Sequence, residues 1–250
     1  MKTRFGPALR WQLREYGLGV FTFWAAMLAL EAFFVAVSLI ALAHGEGTGE
    51  SNFNGAGSIA WFCYFVLGLA QVRADLRLGA QFGIPRRTMM KATWAAALLT
   101  GACLALALEL LTGAGQLMLA GRERLYVGDL YQSLYLGETG GVLGLGGHLA
   151  SAAFNLCGML AAFGAGAALS LVLWLFGRVR WVVLACLALP AAVSGLLWLA
   201  VTLGVDPTPF FLWLLASPLN CGGFFLAAAA LTGLAGWLAL GRVNIRPGVV

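Results

Sequence analysis

The chain has 250 residues, of which 61% are hydrophobic and 10% charged, with a mean hydropathy of +0.89. An ordinary soluble domain has about 45–50% and about 25%, so a soluble globule is excluded and a polytopic membrane protein is indicated. The net charge of +5 does not point to nucleic acid, because the basic residues lie in short clusters between apolar runs, which is a topology signal.

In chain order, the segment 5–17 is amphipathic. Phe5, Leu9, Leu13 and Tyr16 recur at helical spacing, with Arg10 and Arg14 opposite, and Pro7 suits a first helical turn. It reads as an interfacial helix with its arginines toward anionic headgroups, the alternative being a solvated basic tail. An apolar run over 18–43 follows and lacks a cleavage site, so it is read as a retained span rather than a signal peptide. The second span, 58–74, is short and is expected to borrow turns from residues 53–57 or to continue past Arg73.

The segment 73–91 reads RADLRLGAQFGIPRRTMMK and mixes charges with Leu76, Leu78, Phe82 and Ile84. Apolar residues in a hydrophilic loop point to a docked partner or to a turn lying on the bilayer. Gly83-Ile84-Pro85 reads as one short helix ending and another beginning. Spans three, four and five are expected over 92–112, 148–177 and 181–204. Between spans three and four, residues 113–147 carry Tyr126, Tyr131 and Tyr135, and read as a partly helical cap at the membrane interface. The last apolar run, 210–240, has 31 residues and would extend about 46 Å as a helix. Ser217-Pro218 and Gly222-Gly223 interrupt it, which predicts a re-entrant or interfacial element within 205–218 before the sixth span, or a kinked helix.

Alternating the six spans places Lys2, Arg4, Arg10, Arg14, Arg73, Arg77, Arg86, Arg87, Lys91, Arg178, Arg180, Arg242 and Arg246 on one side, and only Arg122 and Arg124 on the other. The positive-inside rule makes the first side, with both termini, cytoplasmic. The fold expected is therefore an all-α, six-span, single transmembrane domain covering 1–250.

Little catalytic chemistry is legible. Lys2 and Lys91 each follow a methionine, so there is no Walker A lysine. His44 and His148 are the only histidines, and Cys63, Cys103, Cys157, Cys186 and Cys221 lie in apolar segments without a CxxC pair, so no metal site is expected. An enzyme acting alone is disfavoured. Glu31 falls within the first span, where a carboxylate is costly unless it is protonated, hydrated or paired. It shares a face with Phe23, Met27, Phe34 and Ser38, a stripe fit either to line a translocation path or to pack a helix. Glu109 lies near a span end and reads as an acid that snorkels to the interface. The small-residue pairs Ala97/Gly101, Gly164/Ala168 and Ala229/Gly233 permit close helix approach.

This plan resembles the permease subunits of bacterial ABC-2 type ATP-driven exporters. The local likeness is Phe82-Gly83-Ile84-Pro85-Arg86-Arg87-Thr88, similar to the phenylalanine-glycine-isoleucine-serine-arginine-lysine-threonine wording of small members, with Pro85 in place of serine. The resemblance implies that Asp75, Leu76, Arg77 and Phe82 through Thr88 form a coupling helix seated in a separate ATPase subunit, which would bind ATP and magnesium. It implies a pair of permeases in a bacterial cell membrane, with no cofactor on this chain. Amphipathic or toxin peptides, as for the phenol-soluble modulin exporters, or other hydrophobic compounds, are the implied cargo. A proton-coupled transporter using Glu31, or a non-transporting scaffold or immunity protein, are the other classes open to this sequence.

Overall fold

A computed structural model of the chain describes residues 5–44, 51–53, 56–119, 125–136, 143–176, 198, 202, 206 and 208–240. These residues form seven helices and two short strands: α1 Phe5–Ala43, β1 Ser51–Phe53, α2 Ala56–Gln81, α3 Arg86–Met118, β2 Leu125–Val127, α4 Leu130–Tyr135, α5 Leu145–Phe176, α6 Thr208–Leu215 and α7 Pro218–Ala239. Five of them, α1, α2, α3, α5 and α7, are long and apolar enough to cross a membrane, and the chain is a multi-pass helical membrane protein. The expected span over 181–204 lies outside the described residues, apart from Trp198 and Thr202.

Helices dominate because a backbone in lipid must satisfy its own hydrogen bonds. The same requirement corrects two sequence expectations. The segment 5–17 is not a separate interfacial helix: it is continuous with the first span in a single helix of 39 residues. Nothing there forces an interruption, since Pro7 falls in the first turn, and Gly17 and Gly19 are tolerated where no water competes for the backbone. Nor is 73–91 a loop of short helices. Its two parts are the ends of α2 and α3, joined at residues 82–85. The second span takes both extensions expected of it, starting at Ala56 and running past Arg73 to Gln81.

The last apolar run divides where Ser217 caps α7 by accepting a hydrogen bond from Leu219 N at 3.2 Å, with Pro218 in the first helical turn. The described residues are helical as expected, apart from one pair of three-residue strands, of which one falls in the segment 113–147. α3 continues to Met118, and then β2 pairs in parallel with β1 in the register Ser51↔Leu125, Asn52↔Tyr126, Phe53↔Val127. The expected cap helix is α4. Tyr131 and Tyr135 both lie on Phe154 of α5, at ring separations of 5.8 Å.

The core sits between α2, α3 and α5. In the apolar windows of α3 and α5, 50% and 56% of the residues are buried, against 17% in those of α1 and α7, so α1 and α7 flank the described bundle. α2 and α5 approach most closely. Gly68 faces the backbone of Phe163 and Ala167, and reciprocally Gly166 faces the backbone of Phe65 and Leu69. A side chain at either position would collide with a main chain that cannot rotate away. The predicted small-residue contacts are used as well: Gly164 meets Thr232 and Trp94, Gly233 meets Trp94, and Gly101 meets Leu156 and Tyr64.

Candidate functional site

At the basic end of the bundle, the turn between α2 and α3 is built by a helix stop of defined geometry. Gly83 adopts φ 64°, its N–H donates to Ala80 O at 3.2 Å, and the Ile84 N–H donates to Gly79 O at 2.8 Å. This pair of bonds is the Schellman arrangement, which needs a left-handed residue that glycine supplies without strain. Pro85 then stands at the N-cap of α3, where its missing N–H costs nothing. The turn holds Phe82 at 63% exposure. Beside it, Pro7, Trp11, Leu78, Phe82, Ile84 and Met89 line an apolar groove of about 340 Å³ between α1 and the turn.

The arginines around this turn are fixed rather than free. Arg73 and Arg77 lie over the Trp174 ring, at 5.5 and 5.6 Å from its centroid, and Arg87 and Lys91 lie over Trp237, at 5.5 and 5.7 Å. The ring quadrupole attracts the cations, and each tryptophan thereby joins the turn to α5 or α7. Arg86 donates to Leu240 O at 3.4 Å, which ties the start of α3 to the end of α7. Thr88 is half-buried one turn into α3.

Asp75 and Leu76, assigned by resemblance to partner contact, are 0% and 2% exposed. They cannot touch another protein, because α1 covers them. Asp75 Oδ2 accepts hydrogen bonds from the Tyr16 hydroxyl at 2.7 Å and from Gln12 Nε2 at 3.2 Å, and Gln12 Nε2 also reaches Thr93 Oγ1 at 2.6 Å. This clasp joins α1, α2 and α3 directly behind the turn. Sequence reasoning missed Gln12 and Thr93 and took Tyr16 as an apolar contact. The available signal was a glutamine and a tyrosine spaced i,i+4 on the face that otherwise buries Ala8.

The stripe Phe23, Met27, Glu31, Phe34 and Ser38 is the face by which α1 packs on α3 and its neighbours. Met27 belongs to the main core, and Phe34 packs beside Val35, Leu119 and Val127. Glu31 is 3% exposed and neither of its carboxyl oxygens has a hydrogen-bond partner. Its side chain lies against Gly115, where a larger residue would displace it. The sequence expectation that Glu31 faces protein or a cavity therefore resolves to protein.

Glu109 overturns the reading of a snorkelling acid: it is 6% exposed and turned inward. The Ser151 hydroxyl bridges it to Asp129, and His148 Nδ1 lies 3.0 Å from its Oε2. Asn155 Nδ2 donates to Asp129 at 2.9 Å. Asp129 in turn caps α4 in a reciprocal capping box with Gln132, and Gln116 Nε2 donates to Val127 O and to Gln132 Oε1, both at 3.0 Å. Hence α3, β2, α4 and α5 share one polar network at the end opposite the arginines. Burial pushes the Tyr135 phenol in the same cap up to about 12, so it stays neutral and serves as a packing group. Among the described residues, no group of three or more histidine, cysteine, aspartate or glutamate side chains has the arrangement of a metal site.

No family model, no curated protein and no solved structure matches the chain. The functional reading therefore rests on the chain's own residues.

Proposed function

We propose that the chain is the membrane-embedded permease subunit of an ATP-driven exporter of the ABC-2 type, with the α2–α3 turn as the element that engages a separate ATPase. The observation that carries this reading is the turn itself. It is apolar and exposed, it sits at the basic end of the bundle, and it is held rigid by a glycine-based helix stop and by the Asp75 clasp behind it. A turn that only faced water would have no use for an apolar side chain as exposed as Phe82, and a turn that transmits force needs the rigidity. Arg77, Phe82, Gly83, Pro85 and Arg87 are the exposed contact residues in this reading, with Ile84, Arg86 and Thr88 partly covered. Asp75 and Leu76 move to a supporting role.

In the same reading the basic end is cytoplasmic, ATP and magnesium belong to the partner, and a second permease copy packs on the sparsely covered faces of α1 and α7. The cargo is an amphipathic peptide or another hydrophobic compound. The test is affinity purification of the permease from its native membranes, followed by ATP photolabelling of what co-purifies. The wild type should retain a labelled ATPase. Phe82→Asp with Ile84→Asp should lose at least about tenfold of it, since burying one large apolar side chain is worth about 1.5–3 kcal/mol and 1.4 kcal/mol is tenfold, while the permease level in the membrane is unchanged. Equal retention by wild type and double variant would refute the docking role.

A proton-coupled transporter is the second reading, favoured by the fully buried and unpartnered carboxyl of Glu31. It requires transport in liposomes that contain no ATPase.

A further inference from the structure

The Asp75 clasp contains a mismatch between donors and acceptors. The Tyr16 hydroxyl is committed to Asp75 Oδ2, the two Nε2 hydrogens of Gln12 go to Asp75 Oδ2 and Thr93 Oγ1, and the Thr93 hydroxyl is committed to Met89 O at 3.0 Å. The Thr93 hydroxyl also stands beside the carboxyl, but its one hydrogen cannot serve both of the acceptors that remain, Asp75 Oδ1 and Gln12 Oε1, which are inaccessible and without a partner. Turning the Gln12 amide over sets its oxygen 3.2 Å from Asp75 Oδ2, two acceptors facing each other unless the acid carries a proton between them, so that arrangement also calls for a protonated carboxyl.

The geometry points to a bound proton: Asp75 is a neutral carboxylic acid whose Oδ1–H donates to Gln12 Oε1, and this proton is a ligand of the α1–α2–α3 junction. One hydrogen satisfies both orphaned oxygens. It also completes the cyclic pair that an acid and an amide form, with N–H to carbonyl on one side and O–H to carbonyl on the other. A metal ion fits poorly, since hard cations take six or more oxygens and the site offers two. Among the described residues no basic group neutralises the carboxyl, and Arg86 at the start of α3 donates to Leu240 O. On α2, Arg73 and Arg77 lie over Trp174, and on α3, Arg87 and Lys91 lie over Trp237. On α1, Arg10 and Arg14 are exposed on the other side from Gln12 and Tyr16. The charge that reaches Asp75 from α1 is that of Glu15, of the same sign, and the remaining titratable neighbours, Tyr16 and Tyr64, are phenols. On α5 the clasp meets the Phe163 ring, 6.2 Å from that of Tyr16.

The consequence is mechanical. With the proton in place, the first turns of α1 are held to the ends of α2 and α3 with no net buried charge, so α1 moves with the turn. The inference holds whatever partner that turn engages, and it is tested without one.

The chain has three aspartates, Asp75, Asp129 and Asp206, which makes infrared spectroscopy decisive. Purified protein at pH 7 with aspartate labelled by ¹³C in the side-chain carboxyl should show an isotope-shifted carboxylic-acid carbonyl band. That band should be lost in Asp75→Asn, kept in Asp129→Asn, and moved to higher frequency in Gln12→Leu, which removes the acceptor. Asparagine is shaped like the neutral acid and donates to Gln12 in the same way, so Asp75→Asn should keep its thermal midpoint within about 3 °C of the wild type. Absence of any aspartic-acid band in the wild type, or a band that persists in Asp75→Asn and disappears in Asp129→Asn, would overturn the proposal. If Asp75→Asn fails to fold, the frequency shift between wild type and Gln12→Leu decides: no shift refutes the pair.

Discussion

Replacing Gly68 or Gly166 by alanine should force α2 and α5 apart. A Cβ at Gly68 would stand 2.9 Å from Ala167 N and closer still to Phe163 O, and a Cβ at Gly166 would stand 2.9 Å from Leu69 N and closer to Phe65 O. Ordinary contact for a Cβ begins at 3.4 Å, so the helices must separate by about 0.5 Å to relieve the nitrogen contact alone, and by more for the oxygen. Backbone atoms have no rotamer to give, and overpacking of this kind costs about 1–3 kcal/mol. The better helix propensity of alanine returns at most about 1 kcal/mol. The still shorter oxygen contacts put the overpacking cost at the upper end of its range, so a net loss of about 2 kcal/mol is expected for each single variant. The double variant should lose less than the sum, because the separation forced by one methyl group makes room for the other. Unfolding midpoints of purified protein in a mild detergent measure this, with Gly17→Ala and Gly222→Ala as controls, since neither glycine has a neighbour within 4 Å of the added carbon. The controls should be neutral or slightly stabilising. If Gly68→Ala unfolds at the same midpoint as Gly17→Ala, the close α2–α5 contact is not a feature of the folded protein.

Two further outcomes follow from the buried polar groups. Asp129→Ala removes the cap of α4 and leaves the Asn155 amide without its acceptor, so it should cost about 1–3 kcal/mol and speed proteolysis near residues 125–136, whereas Asp129→Asn should cost less; equal losses would show that the acceptor geometry is unimportant. Glu31→Leu replaces a buried carboxyl that has no partner and should raise the unfolding midpoint by the equivalent of about 1–3 kcal/mol. If it raises stability and abolishes transport in liposomes, Glu31 is retained for function; a loss of stability would show that the carboxyl is satisfied in the folded state.

The sequence by itself determined what depends on local chemistry. Hydropathy marked α1, α2, α3, α5 and α7, because the cost of a polar residue in lipid is paid position by position. The stops at Gly83-Ile84-Pro85 and Ser217-Pro218 were legible for the same reason, since glycine and proline act on their own turn of backbone. Tertiary structure decided which way each face points, and there the sequence carried little information. In a membrane, lipid and protein interior are equally apolar, so a helix has almost no amphipathic pattern to show which residues meet a neighbour. That is why the face joining Gly68 to Gly166 left no signal beyond two glycines among 34, why Asp75 read as a surface residue until α1 was seen to cover it, and why Glu109 read as an acid reaching for water when Ser151, Asp129 and His148 stand around it. Partners such as Gln12 and Asp75 lie 63 residues apart, and only the packing of α1 across α2 and α3 brings their side chains together.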